Sequence, residues 1–171
     1  MTIAIGTKTQ ELKSAEIPMM AQDPEQIVDR DWSMFFAFVA TEFENSGNNT
    51  LVSWENTGGT AVFRCRVNDT TGQMHWLCRS GDATQYAASF NLTGGSMPLN
   101  EPVFYGLSHD SGTNIVTIMG RTGTTNTTVQ SDTIDLSGYS ATDNDWQQLR
   151  VYGMAGHFSP ISFRGAQMST T

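Results

Sequence analysis

The side chains that could act as catalytic acids, bases or metal ligands are few and scattered. His75, His109 and His157 show none of the spacings at which two histidines, or a histidine and a glutamate, bind zinc. His109 precedes Asp110 and Ser111, but a catalytic triad is a relay in space, which three adjacent residues of a turn do not form. The sequence therefore predicts no catalytic residue, no cofactor and no bound metal ion.

Two places combine an aromatic ring with amide or carboxylate groups, which is the chemistry of a sugar-binding site. Trp54 is followed by Glu55 and Asn56, and Tyr139 stands near Asp143. A ring can stack on a sugar only if it is exposed, whereas a ring in an apolar-alternating strand is expected in the core. The remaining tryptophans stand in such strands: Trp32, Trp76 and Trp146.

The charge balance excludes several classes of partner. Seventeen acidic residues against nine Lys and Arg give a net charge of −8, and the calculated pI is about 4.6. Phosphate backbones and anionic membrane surfaces are bound by clustered Lys and Arg, so we expect neither nucleic acid nor membrane as the partner. The only lysines are Lys8 and Lys13. Because lysine commonly protects exposed sheet edges, we expect the edges to be covered or paired.

The start of the chain carries no visible targeting signal. Residues 1–5 are followed by Gly, Lys, Thr and Gln, with no apolar core of a signal peptide and no small-residue cleavage site. No run of residues approaches the roughly 18 apolar residues of a membrane span. We therefore expect a protein made in the cytoplasm that reaches the outside by lysis or as part of a particle.

The elements that must position these side chains are short strands. From Trp32 onward, apolar alternation recurs at regular intervals between breakers rich in Gly, Asn, Asp and Ser. Residues 1–31 lack sustained periodicity. This pattern predicts an all-β protein, an antiparallel two-sheet β-sandwich over residues 32–171, preceded by an extended N-terminal arm over residues 1–31.

One hairpin can be predicted residue by residue. The turn 68–72 separates two alternating strands, and aligning their apolar faces pairs Val67 with Met74, Cys65 with Trp76 and Phe63 with Cys78. The two cysteines then lie diagonally, which is a poor geometry for a disulfide. We expect both to be reduced, buried thiols.

The order of elements resembles the concanavalin A-like, laminin-G-type jelly roll. The segment Trp32–Val39 is similar to that family's first core strand, and the hairpin Phe63–Arg79 resembles its next strand pair. The ending, Leu149–Gly153 followed by Ile161–Ala166, looks like the family's late strand-Gly and Phe-x-Gly segments. The resemblance covers roughly residues 32–168 and implies a jelly-roll fold, which hosts lectins, glycanases, adhesion modules and bacteriophage virion proteins.

The resemblance also suggests two sites to look for. In the family that the sequence resembles, retaining glycanases carry a Glu-x-Asp-x-Glu motif on one strand, which places their carboxylates about 5 Å apart. Glu42 and Glu44 share a strand face, but the middle Asp and the third carboxylate are missing, so we interpret them as a solvated strand end. A calcium ion, as bound by related domains, would need oxygen donors, which residues 143–145 could supply together with Asp110 or Asn114. The same residue types are also common in turns that bind no metal.

Low charge, strands rich in Ser, Thr and Asn, and the unpatterned arm favour a non-enzymatic virion component. The specific expectation is a capsid decoration (cement) protein that binds the major capsid protein or another virion protein, and sister subunits in a dimer or trimer. The arm would attach by strand addition. Its anchors would be these side chains: Ile3, Ile5, Lys8, Leu12, Lys13 and Ile17.

The alternative is a carbohydrate-binding (lectin-like) module or a tail receptor-binding domain, with Trp54, Asn56, Tyr139 and Asp143 as glycan-binding residues. Exposed aromatic rings among polar groups would favour this alternative. Burial of those groups under the arm or a neighbouring subunit would favour the structural role.

Overall fold

A computed structural model describes residues 3–5, 12–14, 26–29, 31–43, 47–55, 61–81, 84–123, 128–140, 148–151 and 154–162. These ranges contain twelve strands and one four-residue helix. The elements are β1 (Ile3–Ile5), β2 (Leu12–Ser14), α1 (Gln26–Asp29), β3 (Trp32–Phe43), β4 (Asn48–Glu55), β5 (Ala61–Asn68), β6 (Gln73–Arg79), β7 (Gln85–Asn91), β8 (Pro102–Asp110), β9 (Ile115–Thr122), β10 (Gln130–Asp135), β11 (Gln148–Val151) and β12 (Met154–Ser162). Within the described ranges, no helix is long and apolar enough to cross a membrane.

The strands form two six-stranded antiparallel sheets. Sheet A has the order β1-β12-β3-β8-β9-β10, and sheet B has the order β2-β11-β4-β5-β6-β7. Alternate residues of each strand face the other sheet, so the core lies between the two sheets. The prediction of an all-β, antiparallel two-sheet sandwich is confirmed.

The predicted hairpin is confirmed in register. β5 pairs with β6 so that Val67 lies opposite Met74, Cys65 opposite Trp76 and Phe63 opposite Cys78. Both cysteines are free and buried, and burial raises the pKa of each thiol far above its usual value. The two thiols therefore act as small apolar side chains of the core.

Aromatic rings fill the space between the sheets. Trp76 and Phe63 are fully buried, and their ring centroids lie 5.6 Å apart in an edge-to-face arrangement. Trp32, at the start of β3, packs on Phe63 at 6.2 Å. The core positions expected for Trp32 and Trp76 are confirmed, and Trp146 lies outside the described residues.

One pair of sheet edges is covered, as the lack of lysine suggested. β7 and β10 are the last strands of sheets B and A, and they lie against each other. The backbone N–H of Ser89 in β7 donates a hydrogen bond of 2.9 Å to Oδ2 of Asp132 in β10. A donor that would otherwise offer the β7 edge to another chain is thus satisfied within the sandwich.

The outer strands at the opposite side come from residues 1–31. β1 pairs with β12, with Ile3 opposite Phe158, and β2 pairs with β11, with Leu12 opposite Val151. The arm anchors in β1 and β2 thus occupy sheet positions of this chain, whereas Lys8 and Ile17 lie outside the described residues. The boundary between arm and domain at Trp32 stays a prediction.

Candidate functional site

The sugar-binding residues predicted from the sequence do not form a site in the described part of the chain. Tyr139 is only 8% exposed and packs edge-on against Tyr86, with ring centroids 6.1 Å apart. Its ring is therefore not available to stack on a ligand, in contrast to the alternative drawn from the sequence. Asn56, Asp143 and the side chain of Trp54 lie outside the described residues.

The described histidine, aspartate and serine side chains show no catalytic relay at the β8–β9 turn. His109 is buried and stacks on Trp32 at 5.7 Å. Ser111 donates from its backbone N–H and from Oγ to Oδ1 of Asp31, at 2.8 and 2.7 Å. These hydrogen bonds lower the pKa of the Asp31 carboxyl and tie the start of β3 to the turn. The prediction of a turn at residues 109–111 holds only for Ser111, because His109 and Asp110 are the last residues of β8.

Acidic and metal-binding clusters are equally sparse. Glu42 is exposed in β3, and Glu44 falls outside the described ranges. Across the part of the chain that the structure describes, no three His, Cys, Asp or Glu side chains come close enough together to hold a metal ion. Residues 143–145, named as calcium donors, are also outside it.

The outer surface of sheet A carries an aromatic patch instead. Strand alternation points Met34 and Tyr105 into the core, so their neighbours Phe35 and Phe104 face outward. The Phe35 ring is 38% exposed and lies nearly parallel to the Phe104 ring, at a centroid distance of 6.1 Å and an interplanar angle of 25°. We call Phe35, Phe104, Met119 and Arg121 the aromatic face.

A glycine shapes the middle of the aromatic face. Gly106 in β8 lies opposite Phe35 in β3 and opposite Met119 in β9. A Cβ built on Gly106 would stand 3.2 Å from Met119 Cγ and 3.6 Å from Phe35 Cδ2. Because glycine has no side chain there, the sheet surface dips between the two flanking side chains. Two shallow clefts of about 260 and 210 Å³ adjoin Gly106.

Polar groups border the aromatic rings on both sides. The guanidinium carbon of Arg121 lies 4.6 Å from the centre of the Phe104 ring, and its Nη1 donates to the backbone oxygen of Gly123 at 3.2 Å. On the other side, hydroxyl groups fall in one row across β3, β8, β9 and β10. The row consists of Ser33, Ser108, Thr117 and Thr133.

This arrangement has the chemistry of a shallow sugar site. The apolar face of a pyranose presents C–H groups that pack on the electron-rich face of an aromatic ring, and its hydroxyls seek donors and acceptors nearby. Phe35 and Met119 lie two residues from the hydroxyl row along their strands, a distance of about 7 Å, and Phe104 and Arg121 lie two residues further on the other side. A sugar resting on Phe35 therefore lies within reach of hydroxyls and of the Arg121 guanidinium.

This site was not predicted from the sequence, although its signal is present. Phe35 stands inside an unbroken apolar run, so its outward position is visible only once the strand phase is fixed by Met34 and Phe38. Phe104 then reaches it through the pairing of β3 with β8, strands that are about 70 residues apart in the chain. Without that pairing, neither phenylalanine differs from a core residue.

Comparisons with known proteins identify the fold. No family model matches the sequence, and no curated protein matches it. Among solved structures, a Ruminococcus gnavus IT-sialidase CBM40 bound to alpha2,3 sialyllactose matches with a TM-score of 0.57 and 11% identity, over 86% of this chain and 89% of that chain.

Two further structures have the same architecture. A leech intramolecular trans-sialidase complexed with 2,7-anhydro-Neu5Ac matches with a TM-score of 0.64 and 14% identity, over 99% of this chain and 27% of that chain. Mouse laminin alpha1 chain domains LG4-5 match with a TM-score of 0.57 and 11% identity, over 92% of this chain and 38% of that chain. At such identities the likeness shows the fold alone. The fold is a concanavalin A-like β-sandwich.

Proposed function

We propose that this chain is a non-catalytic carbohydrate-binding domain whose ligand packs on the aromatic face of sheet A. The observation that carries the proposal is the outward, nearly parallel pair of Phe35 and Phe104, with its row of hydroxyls and the Arg121 guanidinium. Met119 and Val129, 37% and 54% exposed, extend the same apolar surface. Contiguous exposed apolar surface rimmed by polar groups marks a binding site rather than ordinary protein surface.

The comparisons support a carbohydrate-binding role more than a structural one. The Ruminococcus gnavus module with this fold is described as a CBM40 bound to sialyllactose. A fold by itself does not decide function, so the argument rests on the aromatic face and the shared fold is secondary. The virion location, capsid partner and homo-oligomeric state stay predictions of the sequence, and a glycan-binding domain is compatible with display on a particle.

The aromatic face favours binding without catalysis. Glycoside hydrolysis requires two carboxyl groups placed about 5 to 10 Å apart around the scissile bond. Among the described residues, neither cleft beside Gly106 is lined by an Asp or a Glu. A ligand held there meets rings, hydroxyls and one guanidinium, which orient a sugar but transfer no proton to it.

The test is a glycan array of neutral and acidic oligosaccharides, followed by titration of the tightest ligand with wild-type protein and two variants. We expect dissociation constants between about 1 µM and 1 mM, as suits a shallow, open site. Phe35→Ala should weaken binding by about tenfold because it removes one stacking ring. Leu99→Ala is the matched control, since Leu99 is also an exposed apolar residue but lies outside this face.

Two results would contradict the proposal. If no oligosaccharide on the array binds, the chain is not a glycan-binding domain. If an oligosaccharide binds equally to wild type and to Phe35→Ala, the ligand lies elsewhere and the aromatic face is not the site. Equal thermal midpoints of the two variants would show that a loss of binding by Phe35→Ala is not a loss of folding.

A further inference from the structure

The outer surface of sheet B concentrates positive charge in an acidic protein. β5 turns Phe63, Cys65 and Val67 inward, so Arg64 and Arg66 face outward. β6 turns Met74, Trp76 and Cys78 inward, so His75 and Arg79 face outward on the neighbouring strand. Three of the nine Lys and Arg residues of a chain with net charge −8 thus share one surface with a histidine. We call Arg64, Arg66, His75 and Arg79 the cationic face.

The strand register holds these groups close together. Arg66 lies directly opposite His75, which lies opposite Ser89 in β7. Adjacent strands are about 5 Å apart, and successive outward residues of one strand are about 7 Å apart. Each arginine of the face therefore lies no more than one strand across and two residues along from another arginine. The proximity of Arg66 and Arg64, together with burial, lowers the pKa of His75 to about 4, burial being the larger cause. The imidazole is therefore neutral at pH 7.

Two polar atoms on the cationic face are buried without a hydrogen bond. They are Nε of Arg66 and Nδ1 of His75, which bond to no group within the described ranges. Around them the surface carries Ser89, whose Oγ accepts a hydrogen bond from Gln73 at 3.3 Å. It also carries one carboxylate, that of the buried Glu55 in β4, which accepts a hydrogen bond at 3.3 Å from Ser53. Ser53 lies opposite Arg64. Like charges at this spacing repel, and a buried guanidinium N–H left without an acceptor costs further free energy. An anion bound at the partly exposed Arg66 side chain reduces the repulsion.

We propose that the cationic face binds a carboxylate-bearing polysaccharide, with Arg66 as the central contact. An arginine guanidinium offers two parallel N–H groups that match the two oxygens of a carboxylate. The choice of a sugar chain over an acidic peptide rests on the proposed function. The choice of an anion on this face rests on the charges alone and does not involve the aromatic face.

The same surface is poorly suited to nucleic acid. Single-stranded nucleic acid is held by aromatic side chains on which successive bases stack, in addition to cations that track the phosphates. The described outward residues of β5, β6 and β7 include no Phe, Tyr or Trp.

The test measures binding of the whole chain to sodium polygalacturonate and to the same polymer after methyl esterification, which removes the charges and keeps the sugar backbone. Poly-L-glutamate and an oligo(dT) strand are the competing anions. We expect binding to polygalacturonate at about 50 mM salt, weaker binding at about 0.5 M salt, and none to the esterified polymer. Arg66→Gln should weaken binding about tenfold or more, and Arg66→Lys should fall between, since it keeps the charge but loses the planar fork.

Leu99→Ala is the control, because Leu99 is exposed and lies outside the cationic face, and it should leave polygalacturonate binding unchanged. The inference is overturned if no anion binds, if Arg66→Gln binds as wild type does, or if poly-L-glutamate or oligo(dT) binds more tightly than polygalacturonate. Phe35→Ala separates the two proposals. This variant should weaken binding of the oligosaccharide found on the array and leave polygalacturonate binding unchanged.

Discussion

The two sheets approach each other closely at Gly120 in β9, which offers a quantitative test of the fold. A Cβ added there would stand 2.7 Å from Met74 Sδ, 2.9 Å from the backbone oxygen of Phe104 and 3.0 Å from Phe90 Cζ. Met74 and Phe90 belong to sheet B, so the added methyl group would press directly on the facing sheet. The Phe104 oxygen is held in the sheet A ladder and cannot move aside at low cost.

The expected magnitude for Gly120→Ala follows from two opposing effects. Overpacking a close-packed core by one methyl group costs about 1–3 kcal/mol. Replacing glycine by alanine in a strand gains about 0.5–1 kcal/mol, because the unfolded chain loses conformational freedom. Because the added Cβ would stand 2.9 Å from a backbone oxygen, we expect the upper part of the overpacking range, and the net loss of unfolding free energy should be about 1–2 kcal/mol. For a chain of this length that corresponds to a fall in thermal midpoint of about 2–8 °C.

Urea unfolding followed by tryptophan fluorescence measures this change, and Gly106→Ala is its matched control. Gly106 lies one strand away, and its added Cβ would meet the side chains of Met119 at 3.2 Å and Phe35 at 3.6 Å, both on the outer surface, where they can shift. The control should therefore change stability by less than about 0.5 kcal/mol. If Gly120→Ala is as stable as wild type, the two sheets do not pack at this distance, and the arrangement of the core described above is wrong.

Three further expectations concern the thiols, the histidine and the first residues. Thiol titration of denatured, unreduced protein should find two free thiols per chain, at Cys65 and Cys78, and finding none would show a disulfide. The pKa of His75, about 4 when folded against 6.5 ordinarily, means that the unfolded chain takes up the proton first on acidification. The contribution of the neutral His75 side chain to the free energy of unfolding is about 1 kcal/mol for a half-exposed ring. It should be present above pH 6.5 and be lost as the pH falls from about 6.5 to 4. NMR titration of the imidazole checks this, and a midpoint near 6.5 would contradict it. Deleting residues 1–31 removes β1 and β2 and uncovers β12 and β11, so we expect a lower thermal midpoint and concentration-dependent self-association. Unchanged midpoint and monomeric behaviour by light scattering would favour the separate arm expected from the sequence.

The parts of the fold that were predictable from sequence are those governed by local alternation. The β5–β6 hairpin was predictable down to its cross-strand pairs, because the turn at residues 68–72 fixes the register and alternation fixes the faces. The burial of Trp32 and Trp76 followed from the same alternation. These features depend on contacts between residues that are near in the chain.

The site was not predictable, because it depends on pairing between distant strands. Phe35 and Phe104 become neighbours only through the β3–β8 ladder, and no local pattern specifies which strand lies beside β3. The burial of Tyr139 was missed for the same reason, because Tyr86 is also distant in the chain. Its surroundings read as an exposed turn, yet the ring folds back onto Tyr86 and is buried.

The measurement that tests the proposed function most directly is a backbone amide NMR titration with the oligosaccharide that the array binds most tightly. We predict that the shifted amides cluster on β3, β8 and β9, around Phe35, Gly106, Met119 and Arg121, and that Phe35→Ala needs about ten times more ligand to reach the same shifts. Amide shifts confined to the loops between strands or to sheet B, with β3, β8 and β9 unperturbed, would contradict the assignment of the aromatic face as the sugar-binding site.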